Sequence, residues 1–133
     1  MTSNGEHGSD AAVLIVEDDA PLREIMQLLL EDVSRPIIFA DSGRSALQAL
    51  EKHQPNLIVI DLGLPDMHGF DLAKAIRARS GAADLRLIAF TGYDSATYRR
   101  EATEAGFDDY LPKPMDLNSM EAVFARILGD VSN

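Results

Sequence analysis

Five short apolar runs, Ala12 to Val16, Ile37 to Ala40, Leu57 to Ile60, Leu85 to Phe90 and Tyr110 to Leu111, alternate along the chain with longer segments of helical period. That alternation constrains the fold more than any other feature. The first, third and fourth runs are apolar almost throughout, as strands are when helices cover both faces of their sheet. Between the runs, Asp19 and Pro21 supply a cap and an early proline, and Leu22, Ile25, Met26, Leu29 and Leu30 then fall on one helical stripe. Ser42 caps a second helix with Ala46, Leu47, Ala49 and Leu50 on its apolar face, ending before Pro55. Gly69 to Ser80 reads as a third helix stopped by Gly81, and Ser95 to Ala105 as a more polar fourth closed by Gly106. Asp116 or Ser119 opens a fifth, carrying Met120, Val123, Phe124, Ile127 and Leu128. Strands and helices that alternate through short connections require right-handed crossovers. The expected fold is therefore α/β, a doubly wound three-layer sandwich whose five-stranded parallel sheet is flanked by five helices. Pro112 has no N–H to give a ladder, which puts the fifth strand at an edge.

A chain of 133 residues, 46% hydrophobic and 26% charged, has the size and proportions of one folded domain. Residues 1–10 show no apolar periodicity and read as a flexible leader, leaving residues 11–130 as the domain. The net charge of −10 repels nucleic-acid phosphate and anionic lipid, so neither is an expected direct partner. With no cysteine, disulfides, thiol catalysis and thiolate metal sites are excluded. No apolar run reaches the roughly 18 residues of a membrane span, and the first ten residues lack the apolar stretch of a signal peptide. A cytoplasmic location is expected.

The residues able to do chemistry come directly after the apolar runs: Glu17, Asp18 and Asp19 after the first, Asp61 after the third, Thr91 after the fourth and Lys113 after the fifth. In a parallel sheet all these positions share one rim. Carboxylates gathered there repel by about 4 kcal/mol per pair at about 4 Å and an effective dielectric near 20, so the cluster needs either protonation or a cation, and a divalent ion is the economical solution. All-oxygen ligands favour Mg²⁺, Mn²⁺ or Ca²⁺ over zinc, and Mg²⁺ suits a site that awaits a phosphate. Asp61, alone at the end of the central run, is the best-placed nucleophile for an acyl phosphate, with Lys113 and Thr91 available to hold phosphoryl oxygens. Pro112 and Pro114 restrict the backbone on either side of Lys113 and help to aim it. Asp19 is read as a helix cap and Asp66 as a turn residue with Pro65 and Gly69. His7, His53 and His68 have no ligand spacing and are expected to be exposed or partly packed.

Four segments carry a resemblance: Leu-Ile-Val-Glu-Asp-Asp after the leader, Val-Ile-Asp-Leu-Gly-Leu-Pro-Asp-Met-His-Gly around Asp61, Phe-Thr-Gly-Tyr around Thr91, and Gly-Phe-Asp-Asp-Tyr-Leu-Pro-Lys-Pro at the last strand. In that order and at those distances, they make the chain from Ala12 to Leu128 resemble the receiver domain of bacterial two-component response regulators, of the single-domain, chemotaxis-regulator-like kind. The resemblance implies a flavodoxin-like strand order of 2-1-3-4-5 and a cis bond between Lys113 and Pro114. It implies that Asp61 takes a phosphoryl group from the phosphohistidine of a histidine kinase or histidine phosphotransfer protein. Asp18, Asp61 and the backbone carbonyl of Gly63 would hold Mg²⁺, for which Mn²⁺ can substitute, with Glu17 acting through water. Lys113 would bridge to phosphorylated Asp61, Thr91 would move toward the phosphate, and Tyr110 would turn inward in response. Such a protein is a signalling phosphoacceptor rather than an enzyme, with Mg²⁺-dependent self-phosphorylation and self-dephosphorylation. Its downstream protein partner would dock on the fourth helix, fifth strand and fifth helix. The resemblance places Gly63 and Tyr93 at positions that in the family tune the access of water, where the bulky Tyr93 would shield the phosphoryl group. A phosphatase of the haloacid dehalogenase type would want a second acid where Gly63 stands. A flavin carrier would want a loop rich in Ser, Thr and Gly in place of Glu17-Asp18-Asp19.

Overall fold

Strand alternation and helical stripes meet in two cores, one on each face of a single sheet. The computed structural model describes residues 11–79, 81–113 and 116–132. In chain order the elements are β1 (Val13–Val16), α1 (Ala20–Leu29), β2 (Ile37–Ala40), α2 (Gly43–Lys52), β3 (Leu57–Asp61), α3 (Gly69–Arg77), a single 3-10 turn (Ala82–Asp84), β4 (Arg86–Thr91), α4 (Ala96–Ala105), β5 (Asp109–Pro112) and α5 (Leu117–Ser132). All neighbouring strands pair in parallel, in the order β2-β1-β3-β4-β5, as the resemblance implied. β5 lies at an edge, where Pro112 is tolerated.

Along each strand the side chains divide between the faces. Leu14, Val16, Ile58, Ile60, Leu87 and Ala89 pack with Ala46 of α2, Leu72 and Ile76 of α3 and Ala102 of α4. Val13, Ile15, Leu57, Val59, Ile88 and Phe90 pack with Met26 of α1 and with Met120, Phe124 and Ile127 of α5. Each fully buried side chain of this size stabilises the fold by about 1.5–3 kcal/mol relative to exposure. β1, β3 and β4 are buried on both faces, which is why their sequences do not alternate.

Several boundaries differ from the sequence expectation. Asp61 and Thr91 are the last ladder residues of β3 and β4 rather than the first residues beyond them. β1 starts at Val13, and β5 extends from Asp109 to Pro112. α3 ends at Arg77, because the chain then makes the short turn at Ala82–Asp84; Ser80 lies outside the described residues. The stripe of α1 is narrower than predicted, with Met26 and Leu30 buried but Ile25 38% exposed. Asp116 rather than Ser119 opens α5, its carboxylate accepting from Ser119 N–H at 2.7 Å. Asp66 does more than serve its own turn: its carboxylate accepts from Gly43 and Arg44 N–H at 2.8 and 2.9 Å, capping α2 beside Ser42. Those two hydrogen bonds hold its pKa below the usual carboxylate value. Gly106 closes α4 at φ +114°, where a Cβ would also meet Arg77 Cγ at 2.8 Å. The leader (residues 1–10) and the Lys113–Pro114 bond expected to be cis lie outside the described residues. Among the described residues no helix is long and apolar enough to cross a membrane.

Candidate functional site

The register of the sheet assembles the site. Val16 pairs with Ile60, so the next residues, Glu17 and Asp61, emerge side by side. Asp61 pairs with Phe90, which brings Thr91 one step further along the same rim. Thr91 pairs with Pro112, and the Lys113 N–H donates to the Thr91 carbonyl at 2.7 Å, carrying Lys113 back over the centre. Its Nζ lies 3.0 Å from Glu17 Oε1 and 3.4 Å from Asp61 Oδ1. Glu17, Asp18 and Asp61 each offer a carboxylate oxygen within 4.8 Å of the others. Of these, Glu17 and Asp61 are buried and Asp18 is exposed.

Local contacts fix the loops around this cluster. The Asp19 N–H donates to Glu17 Oε2 at 3.2 Å, and Arg23 Nη1 donates to the Glu17 carbonyl at 2.8 Å. Asp19 caps α1 as expected, accepting from Leu22 N–H. The Gly63 N–H donates to Asp61 Oδ1 at 3.2 Å. Gly69 lets α3 start directly behind β3: a Cβ there would lie 2.7 Å from Leu62 Cα and 3.3 Å from the Asp61 carbonyl oxygen.

The electrostatics are unbalanced, with three carboxylates sharing one ammonium. Burial, then the charge of Asp61, pushes the Glu17 carboxyl up to about 7 from its ordinary 4.5. Asp18, though exposed, is also raised, by partial loss of hydration beside its neighbours and by its hydrogen bond to Asp61. For Lys113, burial alone would lower the pKa, but the hydrogen bond and charge of Glu17 and the charge of Asp61 outweigh it, and the net shift is upward. The Lys113 ammonium, 3.0 Å away, is the one cation that meets the buried Glu17 Oε1, and it approaches off the hydrogen-bonding axis. Three carboxylates with a single ammonium between them, in an all-oxygen cluster, fit a hard divalent cation and its waters.

Thr91 is buried on the same rim, and its Oγ1 accepts from Tyr93 N–H at 3.1 Å rather than bonding the carboxylates. Tyr110 is half-buried, its hydroxyl donating to the Tyr93 carbonyl and the Arg99 guanidinium lying 4.8 Å over its ring. A Cβ on Gly63 would meet nothing within 4 Å, so the space beside Asp61 is open there. The Tyr93 ring, 60% exposed, packs edge-on against Tyr98. His68 is exposed, within the sequence expectation, and it also caps α3 through its ring and bonds Tyr98. Its position just before the helix-opening Gly69 was the available signal, but the contact with Tyr98 had none.

Residues 13–125 match the family described as response regulator receiver domain. An uncharacterized 14.6 kDa protein of Leptolyngbya boryana is 36% identical over 78% of this chain and 79% of its own length. The transcriptional regulatory protein PhoP of Escherichia coli K12 is 35% identical over 86% of this chain, which spans 49% of PhoP. The chemotaxis response regulator CheY4 of Vibrio cholerae superposes with a TM-score of 0.78 at 27% identity, covering 88% of this chain and 98% of its own. A Mn²⁺-bound form of response regulator Rcp1, at 21% identity and a TM-score of 0.77, shares the fold. With its sheet order, its acidic rim and these relatives, the chain belongs to the response regulator receiver domains, the phosphoacceptor modules of two-component signalling.

Proposed function

We propose that Asp61 is the phosphoacceptor of this receiver domain and that Lys113, Glu17, Asp18 and Thr91 prepare it for the transfer. The observation that carries the proposal is the meeting of three carboxylates and one lysine at the end of the central strand. A carboxylate oxygen of Asp61 attacks the phosphorus of a phosphohistidine on a histidine kinase or histidine phosphotransfer protein. The P–N bond breaks, and the imidazole leaves with its electron pair and takes up a proton. Asp18, Asp61 and the Gly63 carbonyl would hold Mg²⁺, or Mn²⁺ in its place, with Glu17 reached through water; the Rcp1 relative carries Mn²⁺. Such a cation, when bound, would neutralise charge on the carboxylates and on the incoming phosphoryl oxygens.

Lys113 exchanges part of its contact with Glu17 for a phosphoryl oxygen on Asp61. Thr91 rotates its hydroxyl from Tyr93 N–H toward the same group, and Tyr110 transmits the change to α4, β5 and α5, where a downstream protein binds. Self-phosphorylation from small donors and self-dephosphorylation by water use the same rim, which is open beside Gly63. The acidic charge and lack of cysteine suit work in the cytoplasm.

Incubation with acetyl phosphate and Mg²⁺ should add one phosphoryl group to the wild-type chain by intact mass, and Asp61→Asn should add none. Undiminished labelling of Asp61→Asn refutes the assignment. Lys113→Ala should still take label but lose the phosphorylation-dependent change at α4 and β5, read as amide exchange.

A further inference from the structure

We propose that His68 is a positioning residue that ties the loop bearing the Gly63 carbonyl to helix α4 through Tyr98. The inference rests on the reading of Asp61 and Gly63 given above. The backbones of Gly63 and His68 form an antiparallel bridge, and the Gly69 N–H donates to the Leu62 carbonyl at 2.9 Å, so the loop after Asp61 closes at His68. The His68 ring then faces outward from the loop in two directions. Its Nδ1 accepts from Phe70 N–H at 3.0 Å, the cap of α3, which leaves the ring proton on Nε2. Nε2 lies 2.6 Å from the Tyr98 hydroxyl and donates to it. One side chain therefore holds the start of α3 and the first turn of α4 at once.

Tyr98 is the hub of the ring cluster it enters. Its centroid is 4.9 Å from Phe70, 5.0 Å from Tyr93 and 6.3 Å from Tyr110. Phe70 in turn leans on Phe107 of the core. The buried residues of α4 are the small Ala102 and Ala105, so Tyr98 and its hydrogen bond supply much of what seats the front half of that helix. A shift of the Gly63 loop is thus passed to α4 by a path separate from Thr91, and both paths meet at Tyr93, Tyr98 and Tyr110. A helix with so small a buried face has little to oppose that pull.

His68→Asn keeps a short acceptor for the helix cap but cannot reach Tyr98, and Tyr98→Phe keeps the ring without the hydroxyl. In the full chain, with Mg²⁺ and acetyl phosphate, both variants should take label on Asp61 at the wild-type extent. The phosphorylation-dependent change in amide exchange over α4 should be smaller by about threefold in each, and the double variant should be no worse than either single one, as coupled neighbours are. Responses equal to wild type, or losses that add in the double variant, overturn the tie. A wild-type chain that takes no label overturns the phosphoacceptor reading itself, which labelling alone distinguishes. Circular dichroism of each variant separates a lost tie from a lost fold, and the cap-preserving His68→Asn and ring-preserving Tyr98→Phe give two independent routes to the same outcome.

Discussion

The two rims of the sheet use charge in opposite ways. At the rim where the strands end, Glu17, Asp18 and Asp61 crowd around Lys113, and a buried carboxylate oxygen is left without an aligned donor. At the rim where they begin, cations are answered nearly group for group. Arg77 donates to the carbonyls of Gly106, Ala82 and Leu85 and to Asp108. Asp108 also accepts from Leu87 N–H, and Arg86 pairs with Asp109 through two donors. Arg35 holds the Ala11 carbonyl and the Asn56 side chain, with only Nη1 unpaired. A saturated network serves the fold, whereas an unsaturated one stores unfavourable charge that a ligand can relieve.

Removing a central member of each network should have opposite consequences. Arg77→Ala strips donors from three carbonyls and one carboxylate, and should cost about 2–4 kcal/mol in urea unfolding while leaving Mg²⁺ affinity unchanged. A loss under about 1 kcal/mol would show that water replaces those donors freely, and the starting rim would no longer count as structural.

Glu17→Gln should stabilise the metal-free chain at pH 8 by about 1 kcal/mol, since it discharges a buried group that the fold holds in unfavourable form. The same change should weaken Mg²⁺ binding. The sign of the pH dependence follows from the pKa of about 7 in the folded chain against the ordinary 4.5. The folded state holds a proton that the unfolded state releases between those values, so this contribution is fully present below about pH 4.5 and is lost as pH rises through about 7. Asp18 acts in the same sense. Asp66, Asp94 and Asp116, all lowered, lose their contributions only in more acid solution. Mg²⁺ competes with the proton, so its affinity should rise over the interval in which metal-free stability falls. Titrations of wild type and Glu17→Gln, read by thermal unfolding and calorimetry, check both halves; a wild-type curve as flat as that of the variant sinks the assignment.

The ending rim was legible in the sequence because parallel topology alone brings strand ends together. Glu17, Asp61, Thr91 and Lys113 needed only the apolar runs to be recognised and counted, and misplacing the ends of β3 and β4 by one residue did not move them off the rim. The starting rim was not legible. Arg77 and Asp108 are 31 residues apart, and their meeting depends on the rotational phase of α3 and the path of the loop after α4. Neither is encoded in hydrophobic period. Asp66 over α2 and His68 against Tyr98 escaped for the same reason, since each is a polar contact between loops or helices that periodicity places only as surface. Ile25 erred the other way: helical spacing marked it as buried, but it lies at the margin of the stripe, where the covering layer ends.

The smallest expected effect tests whether the starting rim acts as a unit. Arg86 reaches Asp109 Oδ2 at 2.6 and 3.0 Å, yet the two side chains are 32% and 40% exposed, so water screens the pair. Asp109→Asn should therefore cost less than about 1 kcal/mol, and less again in high salt. Asp109 adjoins Asp108, through which Arg77 and Leu87 N–H are joined. If the two clusters support each other, Asp109→Asn combined with Arg77→Ala will cost less than the sum of the single changes, and salt will not remove the shortfall. Simple additivity would reduce the starting rim to one buried arginine with an incidental surface pair beside it.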